Sequence, residues 1–348
     1  MSEKIIPKRV PNSEVDLTKE DFKSDQIIKW CPGCGNTAVL KAVEDAFPEI
    51  GYKKENFLFV SGIGCSSRFP YYINTYGIHG IHGRAAAIAS GVKIANPSLS
   101  VWVATGDGDA MAIGGNHFIH TIRRNIDINI LLFNNQVYAL TKGQYSPTTP
   151  KSGVTRTSPH GTIEHPFNPA GLVMGAMGTF FARVIDNDVK MMKEVIKESA
   201  YHDGTAVVEI LQRCVIYSDD AFDILRDKNY KEDYRVYLKH GEPMLFGKDN
   251  SKGIIFEDNK LKQINVGEDK EADKKILIHD QYNPDPGIHR MLGYMHPPEM
   301  PRAFGVIRAA RFDTYEHLID KQINNVREST NVRNMDDLLN SGDTFEIS

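Results

Sequence analysis

Two groups of residues in this 348-residue chain have the types and spacing that chemistry requires. The first is Gly106-Asp107-Gly108, followed 28 positions after Asp107 by Asn135 of the pair Asn134-Asn135. A carboxylate, an amide oxygen and a backbone carbonyl just beyond it are hard donors of the kind Mg2+ takes, usually with phosphate oxygens completing the shell. Glycines beside Asp107 let the backbone approach an anion, and a helix starting there offers free N–H groups and the positive end of its dipole. The second group is sulfur. Cys31 and Cys34 share the turn Trp30-Cys31-Pro32-Gly33-Cys34-Gly35, Cys65 sits in Gly62-Ile63-Gly64-Cys65-Ser66-Ser67, and Cys214 comes late. Four thiolates suit an iron–sulfur cluster or a zinc ion. A thioredoxin-like C-x2-C pair with two core cysteines is the plain structural alternative. Zinc ribbons usually bring two C-x2-C knuckles, so the isolated Cys65 and Cys214 favour a [4Fe–4S] cluster.

Positioning these groups needs a parallel sheet. From Trp30 to about Cys214, short β-branched runs alternate with helical patterns, the signature of an α/β, doubly wound and mostly parallel sheet covered by helices. Strands are expected at Phe57–Ser61, Val101–Thr105, Ile128–Asn134, Phe180–Val184 and Ala206–Leu211. Helices are expected from an Asn36 cap through Phe47, and over Ala85–Ala95, Asp109–Arg124 and Val189–Ala200. Asp107, Asn135, Cys65 and Cys214 then all follow strands, at the carboxyl edge where open α/β sheets bind ligands. A dinucleotide fingerprint fails twice, because Met111 and Ser67 stand where it needs a third glycine.

The remaining sequence divides around this region. Residues 1–25 read as an extended polar arm, 26–218 as the cofactor-binding domain and 219–348 as a polar C-terminal extension. Within the extension, 219–285 suggest a peripheral segment with some helix and a small hairpin, Pro284–Arg302 a loop suited to wrapping a neighbour, and the tail from Glu328 an end that is mobile or ordered only by a partner. A net charge of −4 and a pI near 6.3 argue against a nucleic-acid partner. Hydrophobic content of 41% excludes a disordered chain. No apolar run approaches the ~20 residues of a spanning helix, and the polar start is unlike a signal peptide. No membrane association and a cytoplasmic location are therefore expected.

The Asp107–Asn135 spacing is that of the thiamine-diphosphate motif. Taken with the cysteines, WCPGCG, GIGCSSRFP, HGIHGRA, GDGDAMAIGGNHFIH and NNQVYALTKGQ.SPT, in this order, closely resemble the β subunit of 2-oxoacid:ferredoxin oxidoreductases over about residues 26–220. YMHPPEMPRAFGVIRA and the ending DDLLNSGDTFEIS resemble the longer 2-oxoglutarate-type members. The resemblance implies a [4Fe–4S] cluster on Cys31, Cys34, Cys65 and Cys214, and Mg2+ on Asp107, Asn135 and the Val137 carbonyl. It implies thiamine diphosphate contacts from Ile63, Gly64, Cys65, Ser66, His82, Gly108, Asp109, Ala139 and Leu140. Lys142 would pair with the substrate carboxylate, a solvated surface lysine being the alternative; His79 and His82 could equally be core histidines. His117 and His120 share a helix face and suggest packing rather than metal.

The activity so implied is oxidative decarboxylation of a 2-oxoacid, 2-oxoglutarate first and pyruvate or a broader range next, to an acyl-coenzyme A with electrons passed to ferredoxin. The glutamate that activates thiamine comes, in that family, from an α (or fused γα) subunit, so the chain is expected to act only as part of a heterodimer or a pair of them. A non-redox thiamine decarboxylase or synthase with a structural zinc, and an electron-transfer module without thiamine, are the competing readings.

Overall fold

The computed structural model describes residues 16–345 and 347; the first fifteen residues of the expected arm lie outside them. The strands are β1 (Phe57–Ser61), β2 (Tyr76–His79), β3 (Ser100–Gly106), β4 (Asn129–Asn134), β5 (Val137–Tyr138), β6 (Gln144–Tyr145), β7 (Phe180–Ile185), β8 (Ala206–Leu211), β9 (Arg235–Tyr237), β10 (Leu245–Phe246), β11 (Lys252–Glu257), β12 (Lys260–Asn265) and β13 (Arg302–Ala309). Eleven of them form one sheet in the order β12-β11-β10-β9-β13-β7-β8-β4-β3-β1-β2, and β5 pairs with β6 apart. From β7 to β2 every pairing is parallel. The inner strands are buried runs such as NILLFN and AVVEIL, as a sheet covered on both faces demands, and only the edge strand β2 is largely exposed.

Helices cover the two faces. Gly35–Ile50 and Val189–Tyr201 close one apolar layer, in which Phe47 stacks on Phe57 at 4.3 Å. Ala85–Ala95, Gly115–Arg124 and Gly287–Tyr294 close the other. Phe22 is buried in the first layer, edge-on to Phe47 and Phe57, so the end of the arm belongs to the core. The first helix begins at Gly35 with Cys34 as its N-cap; Asn36 lies inside it with both side-chain polar atoms buried and unpaired, and the helix runs on to Ile50. The tight turn that bonds the Cys34 N–H to the Cys31 carbonyl starts the helix two residues earlier than the Asn36 pattern suggests.

The extension is built onto the sheet rather than lying beside it. β13 runs antiparallel to β7 and parallel to β9, and the expected hairpin is β11–β12 at the far edge. The Pro284–Arg302 segment contains the helix Gly287–Tyr294, packed against β13. Beyond Glu328, Asn334 caps a short helix, Met335–Leu339. No helix among the described residues is long and apolar enough to cross a membrane.

Two buried histidines make the fold acid-sensitive. His289 donates from Nε2 to the Asp280 carbonyl and accepts at Nδ1 from Arg308, an arrangement open only to the neutral ring. Burial, with the Arg308 and His279 charges adding and Asp280 opposing, pushes it down to about 4. Burial also pushes His202, bonded to Thr179 at 2.7 Å, down to about 4, with Asp127 opposing and Arg308 and Arg311 assisting. Unfolded, both titrate near 6.5. Between these values the unfolded chain binds protons that the folded one refuses, so the contribution of these two histidines is complete above pH 6.5 and is lost as the pH drops toward 4, by roughly 2–3 kcal/mol each. Thermal unfolding of the wild type and of the His202→Gln/His289→Gln variant should show a flatter acid limb in the variant; parallel limbs would refute this.

Candidate active site

Asp107 leaves β3 and Asn135 leaves β4, adjacent parallel strands whose register pairs Gly106 with Phe133. Both residues therefore emerge at one carboxyl edge. Asp107 is buried, and its partners are the Ser146 hydroxyl at 2.5 Å and the Thr148 hydroxyl, which both donate to Oδ2. Burial pushes its carboxyl up, while Ser146, Thr148 and backbone N–H groups pull it back. A buried carboxylate met by hydroxyls and N–H groups rather than a cation is suited to a divalent ion, which supplies the missing positive charge. Asn134 and Asn135 divide their tasks. Asn134 turns into the sheet, donating to Glu209 at 2.8 Å and sharing with Asp107 the single proton of the Thr148 hydroxyl, 2.9 Å from its oxygen. Asn135 is half-buried, and among the described residues its oxygen meets only the Val137 N–H at 3.2 Å, on the turn into β5.

Asp109 organises the neighbouring loops. Its Oδ1 accepts from the Ile63 N–H (3.1 Å), the Gly83 N–H (2.7 Å) and His82 Nδ1 (2.5 Å), and its Oδ2 accepts from Thr105 (2.7 Å). One carboxylate thus ties the loops after β1, β2 and β3 together. Gly62 is required there, because a Cβ would stand 2.0 Å from Asp109 Oδ2. His82, with Nδ1–H given to Asp109, keeps Nε2 for a ligand or solvent. The Asp109 side chain is fully engaged, so its backbone N–H is what it can offer an anion. Residues Asp109–Ile113 form a π turn that leads into Gly115–Arg124, which aims the start of the helix at the Asp107 edge.

Tyr138 closes this corner. Its hydroxyl donates to the Gly108 carbonyl at 3.1 Å, and its ring lies where a Gly108 side chain would be, 2.3 Å from the missing Cβ. Burial, with Asp107 and Asp109 adding, pushes its phenol up to about 12, so it stays a neutral donor. The hairpin tip that follows carries Ala139, Leu140 and Lys142; Leu140 and Lys142 are exposed, and Lys142 adopts φ +77°.

The cysteines converge beside this edge. Cys31 is exposed, Cys34 and Cys65 are half-buried and Cys214 is buried, all as free thiols. Burial pushes Cys65 up to about 11, and charge on Cys34, Cys214 and Cys31 would push it further. Burial raises the Cys34 thiol too, against the Asn36 N–H and the Gln212 amide, which lower it. The four sulfurs therefore feel one another, although no three His, Cys, Asp or Glu among the described residues stand as a single-ion site. Ser66 is buried next to Cys65, and Gly64 takes φ +129°. His117 and His120 join no such group.

Sequence reasoning missed the residues behind Asp107. Ser146 and Thr148 stood inside a quoted motif without a role. Arg183 and Glu209 form a fully buried ion pair at 2.6 Å, and Glu209 holds Asn134, which holds Thr148, which holds Asp107. Arg183 also donates to the carbonyls of Gly293 and Ala303, in the extension. The readable signal was one charge in each of two apolar strands, FFARVI and AVVEIL, which the β7–β8 register places side by side.

Comparison with known proteins identifies the family and the fold. Residues 62–210 match the family described as thiamine pyrophosphate enzyme, C-terminal TPP binding domain. The 2-oxoglutarate oxidoreductase subunit KorB of Mycobacterium tuberculosis is 42% identical over 97% of this chain and 91% of its own length. The 2-oxoglutarate synthase subunit KorB of Methanothermobacter thermautotrophicus is 37% identical over 82% and 93%. The fold superposes on the 2-oxoglutarate:ferredoxin oxidoreductase from Magnetococcus marinus, solved with 2-oxoglutarate, coenzyme A and succinyl-CoA bound, with a TM-score of 0.76 and 29% identity over 95% of this chain and 97% of that one. An acidic cradle at the end of two parallel strands, a helix start aimed at it and a likeness running nearly end to end place this chain in the KorB family, the β subunits of the 2-oxoacid:ferredoxin oxidoreductases.

Proposed function

We propose that this chain carries the cofactor half of a coenzyme A-dependent 2-oxoglutarate:ferredoxin oxidoreductase. The observation that carries the reading is the convergence of Asp107, Asn135 and the four cysteines on one sheet edge, in a chain of KorB type. Asp107, Asn135 and the Val137 carbonyl hold Mg2+. Ile63, Gly64, Cys65, Ser66, His82, Gly108, Asp109, Ala139 and Leu140 line the seat for thiamine diphosphate, and Cys31, Cys34, Cys65 and Cys214 hold a [4Fe–4S] cluster. When bound, thiamine diphosphate supplies the electron sink for decarboxylation and the cluster a one-electron relay to ferredoxin.

This chain's own groups bind and orient. The backbone N–H groups at the start of the Asp109 turn meet the diphosphate, and Ser146 and Thr148 fix the Asp107 carboxylate. His82, clamped by Asp109, presents Nε2 to the site. Lys142, on its exposed tip, offers an ammonium to a substrate carboxylate. The partner α subunit completes the site: Ile63, Ile81, Ile113 and Leu140, all exposed in the loops around it, form an apolar rim that such a subunit would cover.

The test is the iron, acid-labile sulfide, zinc and thiamine content of the anaerobically purified α–β complex. About four iron and four sulfide per chain are expected for one [4Fe–4S] cluster. Zinc without sulfide would overturn the electron-transfer reading in favour of a non-redox thiamine enzyme. The substrate follows from comparing 2-oxoglutarate with pyruvate under reduced-ferredoxin readout; faster turnover of pyruvate would displace 2-oxoglutarate.

A further inference from the structure

Gln212 is the first residue after β8, and its side chain faces the cysteines rather than the sheet. Its Nε2 donates to Cys34 Sγ at 3.4 Å. Among the described residues no other side chain is seen donating to a cysteine sulfur. The residue is 2% exposed, and its Oε1 is buried without a partner. A buried, half-satisfied carboxamide is costly, and an aliphatic side chain of similar size would fill the space more favourably. The surroundings nevertheless accommodate it closely. The Gln212 N–H is fixed to the Asn134 carbonyl at 2.9 Å, which clamps its backbone to the end of β4. Gly35, next to Cys34, lacks the Cβ that would stand 2.6 Å from Gln212 Cγ.

We infer that Gln212 sets the reduction potential of the centre that Cys34 helps to hold, by donating Nε2–H to its sulfur. This rests on the proposed [4Fe–4S] reading of the four cysteines. Reduction adds one electron to the cluster, and much of the added charge falls on sulfur. An N–H dipole aimed at that sulfur stabilises the reduced form more than the oxidised one and raises the potential. The placement gives the centre two unlike ends. Cys34 is half-buried and hydrogen-bonded by Gln212, whose backbone is fixed to Asn134, while Cys31 is exposed to solvent. Gln212 therefore eases electron entry from the cofactor without touching substrate.

The experiment uses the complete complex, purified without oxygen, with iron and sulfide assayed before a mediated dithionite titration followed by electron paramagnetic resonance. Gln212→Leu removes the donor at similar volume and is expected to shift the midpoint negative by about tenfold in the reduction equilibrium, about 59 mV for one electron. Gln212→Met likewise removes the N–H while keeping the length of the side chain, so its midpoint should shift in the same direction. A Leu midpoint within twofold of wild type, at equal iron and sulfide, overturns the inference. If Gln212→Leu loses its cluster, Gln212→Met decides, and a midpoint there within twofold of wild type overturns the inference. Wild-type complex without iron and sulfide instead overturns the cluster reading itself, which the assay reports separately.

Discussion

Asp107→Asn is expected to abolish the thermal stabilisation that Mg2+ and thiamine diphosphate give the α–β complex, and to lower activity by more than about 100-fold. That figure exceeds the 10–100-fold losses typical of residues that merely support a metal ligand. The asparagine oxygen still accepts from Ser146 and Thr148, so the local hydrogen bonds survive. The charge is lost, and with it the pull of the Gly108 and Asp107 backbone N–H groups on the carboxylate. Because burial disfavours the carboxylate when no cation is present, the ligand-free variant should melt at or above the wild-type temperature. A site residue that costs stability and supplies binding gives these two opposite shifts, whereas a structural carboxylate lowers both melting points. Differential scanning calorimetry with and without Mg2+ and thiamine diphosphate separates them. An Asp107→Asn complex stabilised by the cofactors as strongly as wild type would remove Asp107 from the metal.

The second large effect lies one sheet position away. Glu209→Leu leaves the Arg183 guanidinium buried opposite an aliphatic side chain, and breaking a buried pair in this way costs about 3–5 kcal/mol. Arg302 aggravates it. Its guanidinium is also buried, and burial with the nearby Arg183 charge pushes it down to about 10, with Glu209 as the opposing attraction. The double variant Arg183→Met/Glu209→Leu removes the unpaired charge and should recover most of that loss in chemical denaturation. It should not recover cofactor binding. Without Glu209, Asn134 loses the acceptor that orients it, and Thr148 loses the partner that aims it at Asp107. Mg2+-dependent thiamine diphosphate affinity is therefore expected to stay roughly 10–100-fold weaker in the double variant. Full recovery of affinity together with stability would show that the pair serves the core alone.

The parts of this molecule that sequence made legible are those where local pattern and tertiary role coincide. Phe57–Ser61 and Ala206–Leu211 are apolar runs bounded by turn residues, and they are strands over those same residues. Asp107 and Asn135 were readable because each directly follows such a run, so parallel pairing alone brings them together. β13 was not. Its RAFGVIRA reads as part of a polar region, and only the free edge of β7 gives it a place. Gln212 and Thr148 were hidden for another reason: neither sits in a periodic pattern, and their roles arise from what stands across the edge. Asn36 misled because asparagine suits a helix cap, whereas the C-x2-C turn had already begun the helix at Cys34.

The arrangement around Arg183 has a consequence for synthesis. The Gly293 and Ala303 carbonyls that accept its hydrogen bonds lie 110 and 120 residues later in the chain. At about 5–20 residues per second, a ribosome needs roughly 6–24 s to bridge that gap. During it, every proposed cofactor ligand up to Cys214 has been made, but β7 still presents a bare apolar edge of the kind that recruits foreign strands. Synthesis of β13, rather than completion of the ligand set, is thus the earliest point at which the nascent subunit is fit to be loaded.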